Sequence, residues 1–543
     1  MRYIYALRKR EERQNTDLKQ YESKIREALK ALNLTEENYI VVNEDSFEFS
    51  FPGCLSRESL QRMGKLLVQS GVKQGGFIRQ KNKAYAFLSY DESRADDERV
   101  LVELVDCSTV DFGNEYNQED IPEWVRFYRS IELCTTCISV REATNIFDTY
   151  IKRTLKDKIL YLENTVFLVE LRHYHIKSGR YNESGDLSSI YPKTSATENI
   201  CMIEHLYSAG LYQTDFVDLV NIRFVGSVSD LEKERLLSKF NLEITSHVGL
   251  VEQEYNADIS DEEGNTKYTF TVHNVGQALA TSLNEKGKLP FFYFDFGIPF
   301  RKNKFTLPTG AELPIAENTT ILLSHVHEDH WCGFRLNQDA LKCRWVIPQN
   351  LQNPTKALKK MLSSVYLNGG SISLYQAAGL NLFVIKAVNN CMVAGNAQSM
   401  IKPSRVPTTV HENGIALYIF AEHDGMEYKI LVSGDQDYDY QDNGYLNDIN
   451  LLVACHHGGE YSWSKKTTVP TPNAKENRIV FSYGQGNTHS HPSMVQDYTM
   501  SGWTTEHHTP QDGDYEIDLN LIDNTKLKSV IKASNPMGMS FEI

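Results

Sequence analysis

The segment "ILLSHVHEDHWCGF", Ile321–Phe334, joins an apolar run to a dense group of histidines and carboxylates. The apolar run predicts a buried strand that ends near Ser324. Neither histidine nor an acidic residue helps a strand to bury itself, so the polar group needs another explanation. Its position directly after a buried strand favours a functional role. The members of the group are His325, His327, Glu328, Asp329 and His330.

The group contains the residue types that bind divalent metal ions. Imidazole nitrogens and carboxylate oxygens bind such ions at about 2.0 to 2.2 Å. His325 and His327 are two positions apart, so a loop after the strand can turn both rings toward one point. Asp329 and His330 point onward from this pair, which favours two adjacent ions at roughly 3.5 to 4 Å. A chance group of hydrogen-bonded histidines is the alternative.

The motif "SHVHEDHWCG" resembles the HxHxDH signature of metallo-β-lactamase-fold hydrolases. This resemblance implies an αββα sandwich, in which two sheets lie between helical layers and the metal ions lie at one edge of the sheets. It also implies further site residues at the ends of other strands.

The remaining site residues of that family have counterparts along this chain. Asp295 in "FFYFDFG" matches an Asp that supports the metal-binding loop, although a turn residue at a strand end is the alternative. His411 in "HENGIALYIF" matches a third histidine ligand, with an exposed loop histidine as the alternative. Asp435 in "LVSGDQDY" and His456 in "INLLVACHHGG" match the bridging and last ligands. The implied ligands are His325, His327 and His411 for one ion, Asp329, His330 and His456 for the other, and Asp435 between them.

Three elements resemble a narrower branch, the metallo-β-lactamase domain of the competence DNA-uptake protein ComEC. They are "VHNVGQALATSL", "HHGGEYS" and "VFSYGQGNTHSHPS", and the resemblance covers about residues 266–543. It implies that Ser482 and Asn487 bind substrate. The first element departs from the branch, because Asn274 replaces its Asp, and Ala278 and Leu279 replace its Gly-Asp pair.

The resemblance implies hydrolysis of a phosphodiester by water activated between two divalent cations, with zinc expected before manganese. Asp329 is expected to orient this water, and His457 or His491 to protonate the leaving oxygen, since histidine titrates near neutral pH. The leading hypothesis is a nuclease with DNA or RNA as its substrate. The alternatives are a phosphodiesterase for a cyclic nucleotide or another small phosphoester, and a subunit of a larger assembly whose N-terminal half binds a protein partner.

Length and composition predict a globular protein of more than one domain. The 543 residues exceed what one hydrophobic core normally organises, and 41% hydrophobic residues are typical of globular chains. Residues 1–253 are predicted to form an α+β region that senses, regulates or presents substrate. Residues 254–266 are acidic and polar and are predicted to be a linker, and residues 267–543 to be the hydrolase domain. The predicted fold class is therefore α/β, with a C-terminal αββα sandwich after an α+β region.

The charge and the distribution of apolar residues limit the partners. A formal net charge of −15 argues against a protein that coats nucleic acid, but it allows a local basic groove. No apolar run approaches the roughly eighteen residues of a membrane span, and the N-terminus has no apolar signal-peptide core. We therefore expect a cytoplasmic protein that does not associate with membranes.

Overall fold

The computed structural model has mixed α and β content with several sheets, and it divides into two compact units. The first unit contains residues 1–91 and 97–242, and the second contains residues 92–96 and 243–543. This division falls upstream of the predicted linker. The described residues are 3–6, 40–43, 48–51, 77–78, 82–91, 99–107, 109–110, 121–131, 133–147, 155–173, 200–206, 217–241, 259–260, 268–348, 355–375, 382–388, 391–396, 414–423, 426–441, 443–459 and 469–519.

The first unit contains a small antiparallel sheet and a closed barrel. The strands of the sheet are β1 (Tyr3–Ala6), β2 (Ile40–Asn43), β3 (Glu48–Phe51) and β4 (Phe77–Ile78), in the order β2-β3-β1-β4. The strands of the barrel are β5 (Asn82–Asp91), β6 (Arg99–Asp106), β7 (Leu133–Ser139), β8 (Phe167–His173), β9 (Ile200–Leu206) and β10 (Val217–Ser227). The barrel closes in the order β10-β8-β5-β6-β7-β9.

Helices accompany the barrel, as the α+β pattern of this region predicts. They are α1 (Glu123–Ser130), α2 (Val140–Phe147), α3 (Leu155–Glu163) and α4 (Asp230–Phe240). Alternate residues of β6, such as Val100 and Val102, enter one apolar core with residues of β5, β7 and β8 because successive side chains of a strand point to opposite faces. The Ser229 side chain caps α4 by accepting a hydrogen bond from the backbone N–H of Glu232.

The second unit is built on two mixed sheets. Its strands are β11 (Ile259–Ser260), β12 (Tyr268–Val272), β13 (Ala280–Glu285), β14 (Phe292–Phe296), β15 (Thr320–Leu322), β16 (Arg344–Pro348), β17 (Ser371–Tyr375), β18 (Leu382–Val388), β19 (Cys391–Asn396), β20 (Ala416–His423), β21 (Met426–Val432), β22 (Leu451–Val453), β23 (Arg478–Phe481), β24 (Glu506–His508) and β25 (Tyr515–Asp518). One sheet has the order β17-β16-β15-β14-β13-β12-β25, and the other has the order β11-β19-β18-β20-β21-β22-β23-β24. Strand β11 lies within the predicted linker and pairs antiparallel with β19.

The two sheets share one hydrophobic core. Phe294 and Leu322 of the first sheet belong to the same buried cluster as Ile430 and Val480 of the second. The sheets therefore pack face to face. Each sheet also contains four successive parallel strands, β14 to β17 in one and β21 to β24 in the other.

Three helices belong to the second unit, among the residues described: α5 (Lys356–Leu367), α6 (Val495–Met500) and α7 (Thr509–Asp512). Helix α5 connects the parallel strands β16 and β17, as a crossover must, and contacts β17. Tyr498 of α6 packs with Leu431 and Ile479, whose side chains leave the second sheet on the face opposite the shared core. None of the described helices has the length and apolar composition of a membrane span.

Candidate metal centre

The candidate site lies where strands of both sheets reach their carboxyl ends. Asp295 is near the end of β14 and His325 follows β15, while Asp435 follows β21 and His456 follows β22. Carboxyl ends of parallel strands meet at one edge of a sheet, which is where α/β proteins commonly bind ligands. A backbone hydrogen bond from Ile415 N to Ser324 O, 2.9 Å long, joins the two edges.

Six side chains form two adjacent groups of potential ligands. The first group is His325, His327 and Asp435, and the second is Asp329, His330 and His457. Within each group, one ligand atom from every residue lies within 4.8 Å of the others. Asp435 also reaches the second group, because its Oδ2 is 3.7 Å from His325 Nε2 and its Oδ1 is 3.3 Å from His330 Nε2. A carboxylate with one oxygen toward each group is placed to bridge two ions.

Hydrogen bonds through Nδ1 orient two of these histidines. His330 Nδ1 lies 2.8 Å from Asp295 Oδ2, and His457 Nδ1 lies 2.9 Å from the carbonyl oxygen of Ser482. Both acceptors place the ring proton on Nδ1, which leaves Nε2 with a lone pair, as in histidines that bind metals. The buried Nε2 atoms of His330 and His457 make no hydrogen bond within the described part of the chain. A divalent cation would satisfy both atoms, so the residues fit such an ion.

Asp295 hydrogen-bonds both to the backbone after β15 and to His330. Its Oδ1 accepts a hydrogen bond from Ser324 N at 2.7 Å, while its Oδ2 bonds to His330. Its backbone has a φ of 58°, which is unusual for a residue other than glycine, and it lies where the pairing of β14 with β13 shifts register. Burial raises the pKa of Asp295, and His330 acts in the opposite direction.

His456 and His457 differ from their predicted roles. His457 Nε2 is 3.4 Å from Asp329 Oδ2, so His457 completes the second group in place of His456. His456 Nε2 is 3.7 Å from Asp435 Oδ2, the oxygen that faces His325. Both histidines have left-handed backbones, with φ values of 50° and 57°, so the position directly after the apolar run does not decide which ring faces the second group. The predicted ligand His411 lies outside the described residues.

Gln277 fixes the orientation of His491, and the sequence prediction did not include it. Its Oε1 accepts a hydrogen bond from Gly484 N at 3.2 Å, so its amide group donates to His491 Nδ1 at 3.0 Å. The proton of a neutral His491 is therefore on Nε2. Burial, together with His456 and His457, lowers the pKa of His491 far below its ordinary value. His491 thus differs from the predicted acid that titrates near neutral pH.

Ser482 and Asn487 support the loops around the site instead of projecting free groups toward a substrate. The amide of Asn487 donates to two carbonyl oxygens and accepts from two N–H groups of residues 484–491. These four bonds use its whole hydrogen-bonding capacity. Ser482 is buried, donates through Oγ to Ala278 O at 3.0 Å, and offers its carbonyl oxygen to His457. The predicted substrate-binding role of both residues differs from this geometry.

Neither protein-family models nor curated proteins match this sequence. The geometry of the site and the residue types that it brings together indicate its chemistry.

The charges of these side chains are strongly coupled. Burial alone would lower the pKa of His330, but the carboxylates of Asp435 and Asp295 outweigh it and raise that pKa well above its ordinary value. Burial would raise the pKa of Asp435, but His330, His456 and His457 hold it well below the usual range. Asp435 is therefore ionised at neutral pH, and a cation that binds here competes with the imidazole protons.

Proposed function

We propose that the second unit is a dinuclear metal-dependent phosphodiesterase of the metallo-β-lactamase fold, and that it acts as a nuclease on DNA or RNA. The observation that carries the proposal is the position of Asp435, which directs one oxygen to each of two histidine-containing groups. The two sheets with a shared core and flanking helices are compatible with the αββα arrangement that the HxHxDH resemblance implies.

The donor set suits two divalent cations, zinc or manganese, because it mixes imidazole nitrogen with carboxylate oxygen. His325, His327 and Asp435 would hold the first, with His456 beside them, and Asp329, His330, His457 and Asp435 would hold the second. When bound, such a pair of cations lowers the pKa of water and offsets negative charge on phosphoryl oxygens.

Asp329, which is also a ligand, and His491 act on the reactants. Asp329 is ionised because His457 and His330 outweigh the effect of burial and lower its pKa, so it accepts a hydrogen bond from the attacking water and orients it. His491 keeps its proton on Nε2 because Gln277 donates to its Nδ1. It therefore serves as a neutral hydrogen-bond donor to an oxygen of the phosphodiester and does not transfer a proton.

The test combines metal content with hydrolysis by the full-length protein. Elemental analysis measures bound zinc and manganese, and the substrates are single- and double-stranded DNA, RNA, cyclic nucleotides and bis(p-nitrophenyl) phosphate. We expect His327→Ala to lose metal and at least about a hundredfold in turnover, since it removes a ligand. The matched control is His508→Ala, which alters a histidine on β24 that hydrogen-bonds to Glu506.

The outcomes separate the alternatives. Cleavage of DNA or RNA that is lost in His327→Ala and kept in His508→Ala supports the nuclease. Turnover of cyclic nucleotides without polymer cleavage would assign the centre to the small-phosphoester alternative. Undiminished metal content in His327→Ala, or no hydrolysis of any phosphoester by the metal-loaded protein, would contradict the proposal.

A further inference from the structure

Phe305 is an exposed aromatic side chain near the candidate metal centre. Its exposed fraction is 51%, although phenylalanine is usually buried in globular proteins. It belongs to the 3-10 helix Arg301–Thr306, in the connection between β14 and β15. One edge of the ring is close to Gly486, since a Cβ built on that glycine would be 3.9 Å from Phe305 Cε2. About half of the side chain remains open to solvent.

The sequence neighbours of Phe305 form hydrogen bonds that lead to His491. Asn303 Oδ1 accepts a hydrogen bond from Thr488 N at 2.9 Å. Thr306 Oγ1 accepts one from Gln277 N at 3.0 Å, and the side chain of Gln277 holds His491. Phe305 thus lies between Asn303 and Thr306 in the sequence, and hydrogen bonds connect these two residues to the segment that contains His491.

The segments that meet at Phe305 have a charge opposite to that of the whole chain. Residues 297–311 and 477–496 contain no Asp or Glu, although the chain has 71 acidic residues and a net charge of −15. The first segment contains Arg301, Lys302 and Lys304 within four positions. A basic segment in an acidic protein attracts an anionic ligand to one place on its surface.

We propose that Phe305 is a stacking platform for an unpaired base of single-stranded nucleic acid, and that the positive charge of residues 301–304 attracts the phosphates of the same strand. This inference rests on the proposed phosphodiesterase and names its substrate class. An exposed aromatic ring beside basic residues is how proteins bind single strands without reading their sequence. Bases in a duplex are already stacked on one another, so the surface favours single strands.

The first experiment measures binding of a fluorescein-labelled oligothymidine to the full-length protein by fluorescence anisotropy. We expect Phe305→Ala to weaken binding about tenfold or more, since stacking of one base contributes roughly 1 to 3 kcal/mol. Phe305→Trp should bind as tightly as the wild type because it keeps an aromatic surface. The matched control is Leu289→Ala, which truncates a side chain of similar exposure, 54%, in the turn between β13 and β14. It should have no effect.

The second experiment tests the basic segment through salt dependence. Replacing Arg301, Lys302 and Lys304 together by Gln should make the slope of log Kobs against log salt concentration shallower by about 2, because each phosphate contact contributes roughly 0.7 for single strands. An unchanged slope would show that these three residues do not contact phosphates, and would contradict that part of the proposal.

Hydrolysis of bis(p-nitrophenyl) phosphate separates this inference from the proposed function, because that small diester needs only the metal centre. We expect Phe305→Ala to hydrolyse it at the wild-type rate while it cleaves single-stranded DNA with a raised KM. The stacking platform would be overturned if Phe305→Ala bound single strands as tightly as the wild type. It would also be overturned if this variant lost small-diester hydrolysis to the same extent as cleavage of single-stranded DNA. Phe305-dependent binding without any hydrolysis by the wild type would remove the phosphodiesterase and leave the binding site.

Discussion

At the scale of single residues, the partner of each imidazole decides which chemistry the ring can perform. The Nδ1 atoms of His330 and His457 face acceptors, the carboxylate of Asp295 and a backbone carbonyl oxygen. When neutral, both rings therefore present a lone pair on Nε2, which can bind a metal. His491 faces the amide donor of Gln277, so it presents an N–H group instead. The direction of the hydrogen bond at Nδ1 thus distinguishes His330 and His457, which can bind a metal, from His491, which can donate a hydrogen bond.

Gln277→Glu tests this difference in direction. The substituted carboxylate still accepts from Gly484 N, but its second oxygen attracts a proton to His491 Nδ1, so Nε2 loses its proton. We expect phosphodiester turnover to fall by roughly tenfold or more, with metal content unchanged. Nitrogen-15 NMR of the histidine rings reports the change of tautomer. Gln277→Met, which removes both hydrogen bonds, is the comparison, and a Glu variant with wild-type turnover and an unchanged His491 tautomer would contradict the assignment.

At the scale of elements, the centre requires loops from two different sheets to approach closely. Gly434 follows β21 and Ser324 follows β15. A Cβ on Gly434 would lie 2.7 Å from the Cβ of Ser324, and the φ of 55° at Gly434 is a conformation that other residues adopt at a cost. Its carbonyl oxygen accepts from His456 N at 3.0 Å, so this glycine joins three strand ends.

Gly434→Ala should separate the loops that carry Asp435 and His325. We expect it to lower the free energy of unfolding by about 1 to 3 kcal/mol and to weaken zinc binding at least tenfold, because the added methyl group overlaps Ser324. Gly287→Ala is the matched control, since Gly287 has a φ of +80° and no atom within 4 Å of the added carbon. It should lose stability through its backbone alone and bind zinc normally. Thermal unfolding measures the loss of stability, and zinc titration measures the loss of affinity. Equal zinc affinity in the two variants would show that the close approach of Gly434 to Ser324 does not affect the zinc site.

The sequence predicts elements whose signals are local. The segment "KAYAFLSYDE" lies within β5 apart from its last residue, and "NPTKALKKMLSSVYLN" contains α5, since strand alternation and helical spacing are visible within a few residues. The closure of the barrel is not predictable in this way, because it depends on β10 pairing with β8 and β9. Residues 17–33 have apolar residues at helical spacing, which predicts an amphipathic helix, but they lie outside the described residues.

The candidate site contains some residues that the sequence predicts and others whose roles depend on contacts between distant segments. Asp295 and Asp435 come at the ends of apolar runs, and the resemblance to the metallo-β-lactamase fold implies site roles for both. His457 takes the place predicted for His456 in the second group. This depends on the left-handed backbones of both histidines and on the carbonyl oxygen of Ser482, which follows β23. Asn487 matches a motif, but only its four hydrogen bonds show that its amide is fully used. Contacts between distant segments decide these roles.

At the scale of the whole molecule, metal binding and the stability of the fold are linked through protons. Asp435, with other carboxylates, raises the pKa of His330 and of His457, in each case against the effect of burial. A histidine with a raised pKa stabilises the folded protein below its ordinary pKa of about 6.5, and this stabilisation is lost as the pH rises through the raised value. A cation needs the same rings without their protons, so its contribution changes with pH in the opposite direction.

Zinc should therefore stabilise the protein more at pH 8 than at pH 6. With zinc at about a hundred times its Kd, we expect Tm to rise by roughly 2 to 4 °C at pH 8, and by clearly less at pH 6, where protons compete for His330 and His457. Calorimetric titration in buffers of different ionisation enthalpy should show that zinc binding releases protons. His327→Ala should reduce the zinc-dependent shift at both pH values. If the shift is the same at pH 6 and pH 8 and no protons are released, zinc does not bind to these histidines, because a single imidazole nitrogen cannot hold a proton and a metal ion at the same time.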